Sequence, residues 1–176
     1  MPFDPPIPCV GLVGWSGSGK TTLLEALIST FRRRGVRVAV VKYTHHRHLQ
    51  TDQPGKDTWR FEQAGAVHTT LWSPDRVVHT HRYARPPSPD LVLQDVHDVD
   101  VILIEGYKGG HYPKIEVVRA ARVDSHPEDP VLIPDLEDRV ACVTDLPDPP
   151  FEGPTFPFYQ VDALADFILT RLAPLI

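Results

Sequence analysis

Cysteine and long apolar runs are what this chain of 176 residues has least of. Its two cysteines, Cys9 and Cys142, each lie in a segment that reads as a buried strand, so we expect reduced thiols and no disulfide. No apolar run approaches the ~20 residues that a membrane-spanning helix needs. The N-terminus carries Asp4 and several prolines before Cys9 and has no signal-peptide pattern, so we expect a cytoplasmic protein.

An excess of basic charge is also missing. The chain has 18 lysines and arginines against 23 acidic residues, which gives a formal net charge of −5. A chain with this balance has no bulk attraction for nucleic acid or for an anionic membrane surface, so we expect neither as a partner. Its length and its 41% hydrophobic content are those of one ordinary globular unit, and we expect a single domain over residues 1–176.

One stretch stands out by its glycines. Residues 14–21 fit the pattern Gly-x-x-x-x-Gly-Lys-[Ser/Thr] of a P-loop, the segment that wraps the phosphates of a nucleotide. An apolar strand-like run precedes it at 8–13 and a helix-like run follows at 22–28, which is the context that a P-loop requires. The motif predicts a nucleotide-binding site made by Gly14, Trp15, Ser16, Gly17, Ser18, Gly19, Lys20, Thr21 and Thr22.

Each part of this motif has a physical role. The glycines allow backbone angles closed to other residues, so that successive N–H groups can point at a phosphate. The N-terminus of the following helix adds partial positive charge. Lys20 is expected to bridge the β- and γ-phosphates and is the first catalytic candidate, while the Thr21 hydroxyl is expected to ligate Mg²⁺.

Strand-like and helix-like segments alternate along the chain. The most apolar segment, 101–104, is continuously hydrophobic, which is typical of a central parallel strand that is covered on both faces. The alternation predicts an α/β fold of the P-loop NTPase type, a three-layer sandwich with a mostly parallel sheet and helices on both faces.

Two further segments complete the predicted architecture. Strands at 66–72 and 77–83, joined by the turn 73–76, predict an inserted β-hairpin. The proline-rich piece 147–157 is interpreted as a tether for a closing amphipathic helix over 164–172.

Acidic residues near strand ends are the candidates for the metal site, because ligands of such sheets bind at the carboxyl ends of the strands. Glu105 ends the central strand, whereas Asp100 precedes it and would lie on the order of 16 Å away. Glu105 is therefore the second catalytic candidate, polarising a water or holding Mg²⁺ through one. Asp52 is either a further metal ligand or a turn residue before Gln53, and both interpretations stay open.

Asp145 bears on the choice of base. It follows a late strand at 139–143, and a carboxylate there can accept both hydrogens that guanine offers at N1 and N2 and adenine lacks. Asp145 thus favours GTP. The full Asn-Lys-x-Asp pattern is missing, and a turn aspartate before Leu146 explains the residue nearly as well.

Histidines and basic residues form two looser groups. His45, His46 and His48 lack the spacing and the cysteine partner of a structural zinc site, so a polar loop that faces substrate is favoured. His79 and His81 share one face of a strand and are interpreted as exposed. A second anion site or scattered solvated charge are equally good interpretations of the basic residues in the predicted loops, which are Lys42, Arg47, Lys56, Arg60, Lys108 and Lys114.

Four segments together make the chain resemble the B protein family of molybdopterin-guanine dinucleotide biosynthesis, small GTP-binding adapters. They are the P-loop at 14–22, the strand end at 40–46, and the stretches 52–66 and 105–119. The resemblance implies a homodimer that binds GTP and Mg²⁺ and hydrolyses GTP weakly. It also implies that the chain assists the guanylyltransferase that joins GMP to the molybdopterin cofactor.

Two other functions compete with this adapter role. A small-molecule kinase would use Asp52 as the base that takes a substrate proton, but the chain has no arginine-rich lid segment. A metallochaperone GTPase would need a relay of metal ligands, for which the histidines at 45–48 are the only support. Trp15 stands where the deviant P-loop ATPases carry a lysine, so a lysine that acts across a dimer is not supported.

Overall fold

Strands and helices alternate along the chain as predicted, and the computed structural model describes residues 7–46, 49 and 52–173. The strands are β1 (Cys9–Val13), β2 (Val38–Lys42), β3 (His68–Trp72), β4 (Val77–His81), β5 (Val101–Glu105), β6 (Lys114–Val118), β7 (Arg139–Thr144) and β8 (Thr155–Phe156). The helices are α1 (Lys20–Arg33), α2 (Asp57–Gln63), α3 (Pro89–Gln94), α4 (Ala120–Ser125) and α5 (Val161–Phe167), and α5 continues as a π-helical segment over Ile168–Leu172.

These elements belong to two compact units. One is Met1–Thr44 with Val92–Ile176, and the other is His45–Leu91. The single domain expected over 1–176 stays a prediction. No helix among the described residues has the length and apolar character that a membrane span requires.

A six-stranded sheet in the order β2-β5-β1-β6-β7-β8 forms the larger unit, and every strand pair in it is parallel. All residues of β1 and β5 are buried, as the continuous apolar run of β5 predicted. Because the strands are parallel, their carboxyl ends meet at one edge of the sheet. The register places Glu105 beside Leu12 of β1 and beside Lys42 of β2 at this edge.

Apolar side chains cover the sheet on both faces. On one face, Val101 and Leu103 of β5 pack in a core with α1 and α5. On the other, Ile102 and Ile104 pack with Leu93 of α3. α1 faces its core with Leu23, Leu24, Leu27 and Phe31. The predicted three-layer α/β arrangement is therefore confirmed, and the predicted thiols of Cys9 and Cys142 are buried and free.

The segment 147–157 is more than the tether that the sequence predicted. Thr155 and Phe156 form β8, which pairs with β7 at the edge of the sheet. The Cys142 N–H donates to the Pro154 carbonyl at 3.0 Å, so this segment satisfies backbone groups that β7 would otherwise leave unpaired. Proline is tolerated beside an edge strand, and this is why its abundance concealed β8. The sequence also missed α4, and α3 ends at Gln94, before the predicted end near His97.

The smaller unit holds α2 and the predicted β-hairpin. β3 and β4 pair antiparallel with His68 opposite His81. The Ser73 N–H donates to the Arg76 carbonyl at 2.8 Å and closes the turn. Glu62 of α2 accepts the hydroxyl of Thr69 at 3.3 Å, which ties the helix to the hairpin.

Candidate functional site

The P-loop joins β1 to α1 in a backbone shape that depends on glycine. Gly14, Gly17 and Gly19 have φ of 152°, 79° and 89°. A Cβ on Gly14 would collide with the carbonyl oxygen of Val117 and lie 2.7 Å from the Ser18 hydroxyl, so a side chain there is excluded by space as well as by conformation. α1 begins with no side-chain cap and no acidic residue in its first turn. Its first N–H groups and its dipole therefore favour an anion.

Lys20 folds back over this loop. Its ammonium donates to the carbonyl oxygens of Gly14 at 3.1 Å and of Trp15 at 2.8 Å, and to the Ser18 hydroxyl at 3.5 Å. Burial lowers the pKa of Lys20, while the nearby Glu105 carboxylate acts in the opposite direction. The three weak acceptors can be exchanged for phosphate oxygens, which make stronger charge-assisted bonds.

Thr21 and Glu105 lie in contact at the carboxyl ends of the strands. The Thr21 hydroxyl donates to Glu105 Oε1 at 3.1 Å, and the Lys42 ammonium lies 3.3 Å from the same oxygen. The Glu105 side chain is only 10% exposed. A hydroxyl and a carboxylate are the oxygen ligands that Mg²⁺ takes beside nucleotide phosphates, so the residues present fit that ion. Two of the three residues predicted for the metal site, Thr21 and Glu105, are thus brought together.

Asp100 lies at the other end of β5, as its position before the strand predicted. It accepts the Arg37 backbone N–H at 2.7 Å and pairs with the Arg37 guanidinium at 2.7 Å. These hydrogen bonds lower the pKa of Asp100. The residue holds the start of β5 to the segment before β2, which separates its role from that of Glu105.

Asp52, in the smaller unit, makes a turn before α2. Its carboxylate accepts the Gln53 N–H at 2.8 Å and the Thr58 hydroxyl. The hydrogen bond from Thr58, followed by that from Gln53, lowers the pKa of Asp52. The turn interpretation is confirmed, whereas a metal-binding role stays a prediction.

Asp145 follows β7 and already has two partners. One carboxylate oxygen accepts the Ala120 N–H at 2.6 Å, and the other lies 3.4 Å from the Arg119 guanidinium. The guanidinium is stacked on Phe158, 3.5 Å from the centre of the ring. Its Nη2 is 3.0 Å from the point that a Cβ on Gly19 would occupy, so the stack adjoins the P-loop.

Arg119 and Phe158 are not among the site residues that the sequence predicted. The available signal for Arg119 was its place just after the strand 115–118, at the same sheet edge as Glu105. Phe158 follows β8, which was not predicted, so no strand end pointed to it. Recognising the pair required the order of the strands as well as the motif.

Trp15 fixes the outer side of the P-loop. Its indole N–H donates to the Pro130 carbonyl at 3.0 Å, and the Lys108 ammonium lies 4.6 Å from the ring centre. Next to it is an open pocket of about 430 Å³ lined by Ser16, Gly17, Arg119, Ala121, Arg122, Ser125 and His126. Thr22, the last predicted binding residue, is exposed in the first turn of α1.

The basic residues considered for a second anion differ in their surroundings among the residues that the structure describes. Lys114 is fully buried, and its ammonium donates to the carbonyls of Gly110 at 2.8 Å and Glu137 at 3.1 Å, so including it was wrong. Lys42 pairs with Glu105 and Lys108 lies over Trp15. Lys56 and Arg60 belong to the smaller unit.

The histidines do not form a metal site in the part of the chain that the structure describes. No group of three or more histidine, cysteine or acidic side chains there is placed to hold an ion. His45 and His46 are exposed and their ring centres lie 4.9 Å apart, whereas His48, like Arg47, lies outside the described residues. His79 and His81 are exposed on β4, as predicted.

Comparison with known proteins agrees with this geometry. Residues 9–145 match the family model of molybdopterin guanine dinucleotide synthesis protein B. A molybdopterin-guanine dinucleotide biosynthesis adapter protein from Haemophilus influenzae is 40% identical over 124 residues, which are 69% of each chain. The adapter protein of that name from Escherichia coli K12 is 34% identical over 172 residues, covering 93% of this chain and 92% of that one.

Solved structures extend the similarity to the fold. A crystal structure of a molybdopterin-guanine biosynthesis protein B superposes with a TM-score of 0.68 at 26% identity, covering 92% of this chain and 98% of that one. The crystal structure of Bacillus subtilis MobB gives a TM-score of 0.71 at 24% identity, with coverage of 96% and 99%. The P-loop, the parallel sheet and these matches together show that the chain belongs to the molybdopterin guanine dinucleotide synthesis protein B family.

Proposed function

We propose that this chain carries out its adapter role in molybdopterin guanine dinucleotide biosynthesis by binding GTP and Mg²⁺ at the P-loop. The adapter role itself follows from the family to which the chain belongs. The observation that carries the nucleotide and the metal is the contact between Thr21 and Glu105 at 3.1 Å, beside Lys20 and at the start of α1. A cationic loop and a magnesium ligand pair meet there at one edge of the sheet.

The residues of this site have separable tasks. Lys20 exchanges the carbonyl oxygens of Gly14 and Trp15 for phosphate oxygens. Thr21 and Glu105 would hold Mg²⁺ between them. When bound, the ion neutralises phosphate charge. Asp145 is the proposed reader of guanine.

Hydrolysis is expected to be slow. Efficient P-loop GTPases position the attacking water with a dedicated residue and stabilise the transition state with an arginine finger, and neither was evident in the sequence. GTP then acts mainly as a ligand whose presence changes what the adapter can contact. The proposed partners are a guanylyltransferase, the molybdopterin cofactor and a second copy of the chain, and the names of the relatives support the first two through the pathway that they share.

Calorimetric titration with GTP and Mg²⁺ tests the site. We expect Lys20→Ala to weaken GTP binding at least about a hundredfold, because a charge-assisted bond to a polyphosphate in a partly buried site is lost. Lys56→Ala, which removes the same charge from the smaller unit, is the matched control. Equal GTP affinity of wild type and Lys20→Ala would reject nucleotide binding at the P-loop.

A further inference from the structure

Three residues from adjacent strand ends form a stack beside the P-loop. Arg119 follows β6, Asp145 follows β7, and Phe158 comes two residues after β8. The Arg119 guanidinium lies flat enough on Phe158 to bring its carbon to 3.5 Å from the ring centre, and it reaches Asp145 at 3.4 Å. Both charged side chains are only partly covered, at 35% and 41% exposure. The stack can therefore open without unfolding the sheet.

Guanine and a guanidinium group share one arrangement of atoms. The guanine atoms N1–H, C2, N2–H₂ and N3 form a planar unit of one carbon and three nitrogens, in which the N1–H and N2–H groups point in parallel at a carboxylate. Arg119 carries a similar planar unit, of which one nitrogen, Nη1, donates to one oxygen of Asp145 at 3.4 Å, and it stacks on an aromatic ring as a purine does. In the nucleotide-free chain the arginine thus makes one contact of each kind that guanine would make, one with the carboxylate and one with the ring.

The position of the stack agrees with a base that is attached to a nucleotide in the P-loop. Phe158 Cε1 is 3.6 Å, and Arg119 Nη2 3.0 Å, from the point that a Cβ on Gly19 would occupy. Gly19 is the residue before α1, where the phosphates are expected. The Ala120 N–H holds the other oxygen of Asp145 at 2.6 Å and so orients the carboxylate towards the stack.

We propose that Arg119 occupies the guanine subsite of the nucleotide-free chain, and that Phe158 and Asp145 bind the base once Arg119 has moved away. This inference rests on the GTP site proposed above. Guanine returns to Asp145 the N–H donors that it loses with Arg119. Adenine stacks on Phe158 equally well but gives Asp145 no N–H donor in place of the one lost with Arg119, which is costly at a partly covered site. The exchange of arginine for base is therefore the source of guanine selectivity.

Phosphate binding and base binding must be separated to test this. We would measure dissociation constants of GTP, ATP and inorganic tripolyphosphate by calorimetry in Mg²⁺. The ratio of the tripolyphosphate constant to the GTP constant isolates the contribution of the base, because a uniform change in charge cancels from it. The variants are Arg119→Ala, Arg119→Lys and Phe158→Leu. Arg119→Lys keeps the positive charge but removes the planar guanidinium group. The matched control is Arg37→Ala, which removes another arginine that pairs with an aspartate, at the opposite ends of the strands.

Arg119→Ala and Arg119→Lys are both expected to raise this ratio, by roughly three- to tenfold for alanine, because the competing occupant is lost. Phe158→Leu is expected to lower this ratio roughly tenfold, and to lower the corresponding ratio of the tripolyphosphate and ATP dissociation constants by a similar factor. Arg37→Ala is expected to leave it unchanged. A ratio that falls or stays constant in both Arg119 variants would overturn the inference, because Arg119 would then be a ligand of the base or a bystander.

The outcome also distinguishes this inference from the proposed function. If wild type binds tripolyphosphate and GTP through Lys20 while the Arg119 variants leave the ratio unchanged, only the inference fails. If GTP does not bind, or binds independently of Lys20, the proposed function and the inference fail together. Thermal unfolding of each variant confirms that a changed ratio arises in a folded chain.

Discussion

At the scale of single residues, the proposed metal site depends most on Glu105. Its carboxylate is nearly buried and accepts hydrogen bonds from two different groups, the hydroxyl of Thr21 and the ammonium of Lys42. The ammonium balances the negative charge of the carboxylate in the structure. Under the proposed function Thr21 and Glu105 would hold Mg²⁺, so we expect the affinity for the ion to depend on the charge that Glu105 supplies.

Replacing Glu105 with glutamine tests this dependence. Glu105→Gln keeps a hydrogen-bond acceptor for Thr21 and removes the negative charge. We expect the gain in GTP affinity that Mg²⁺ produces to fall about tenfold or more, because partners that hold a metal through water typically contribute that much. The measurement is the GTP dissociation constant in Mg²⁺ and in EDTA for each variant.

Asp100→Asn provides the control, since Asp100 lies at the opposite end of the same strand and pairs with Arg37. In Asp100→Asn, the gain in GTP affinity that Mg²⁺ produces should equal that of wild type. A Glu105→Gln variant with an undiminished Mg²⁺ effect would show that the carboxylate has no part in metal binding.

Much of the site at this scale followed from the sequence, because the information is local. A P-loop is defined by spacing within eight residues, and Glu105 by its place at the end of an apolar strand. Arg119 and Phe158 were missed because their contact depends on which strands lie side by side. The error at Lys114 has a similar cause, since one of the carbonyls that bind it, that of Glu137, comes from a loop distant in the sequence.

At the scale of secondary-structure elements, a buried ion pair connects β6 to β7. Glu116 is fully buried, its carboxylate accepts the Ile133 N–H at 2.7 Å, and its other oxygen lies 2.7 Å from Arg139 Nε. The last two atoms are close but poorly aligned for a hydrogen bond, so the pair is chiefly electrostatic. Burial raises the pKa of Glu116 in spite of Arg139. The group therefore stabilises the fold most below its unfolded pKa and less as pH rises through the raised folded value.

Removing one charge of this pair is expected to lower the stability of the fold. Glu116→Gln leaves the Arg139 charge, at 18% exposure, without its partner, and should lower the free energy of unfolding by about 3 kcal/mol. The double variant Glu116→Leu with Arg139→Met removes both charges and should recover most of that loss. Urea unfolding at pH 7 measures both.

An exposed pair serves as the comparison. Asp166 pairs with Arg34 on the surface at 2.6 Å with 68% of its side chain exposed, and Asp166→Asn should change stability by less than about 1 kcal/mol. If Glu116→Gln proved as mild as Asp166→Asn, the buried pair would have no special role in joining the two strands.

The elements also show where sequence patterns are sufficient. β1, β5, α1 and the hairpin have strong apolar periodicity or turn signals, and each was predicted within a few residues. β8 and α4 are short, and neither has a pattern that propensity alone would reveal. β8 exists because the edge of β7 needs hydrogen-bond partners, which is a property of the assembled sheet.

At the scale of the whole molecule, the proposed function couples nucleotide binding to an interaction with another protein. We expect the chain to increase the formation of molybdopterin guanine dinucleotide by a guanylyltransferase, and Lys20→Ala to lose this effect. GTP hydrolysis by the chain alone should be on the order of 10⁻² s⁻¹ or slower, because neither an arginine finger nor a dedicated water-positioning glutamine is evident in the sequence. The measurements are product formation from GTP and molybdopterin cofactor, and phosphate release without the transferase.

Two results would contradict this account. Equal stimulation by wild type and Lys20→Ala would separate the adapter role from the P-loop. Rapid transfer of the γ-phosphate to a metabolite would favour the kinase interpretation, in which Asp52 takes the proton.

The indole of Trp15 is an intrinsic fluorophore in the P-loop. Its ring lies in the loop at 14–21, where its indole N–H donates to the Pro130 carbonyl and the Lys108 ammonium faces it, whereas the chain's other two tryptophans, Trp59 and Trp72, belong to the smaller unit. Indole emission responds to neighbouring charge and polarity. We therefore expect the arrival of a polyanion beside Trp15 to change the fluorescence of the unlabelled protein, so that occupancy of the loop can be followed in real time.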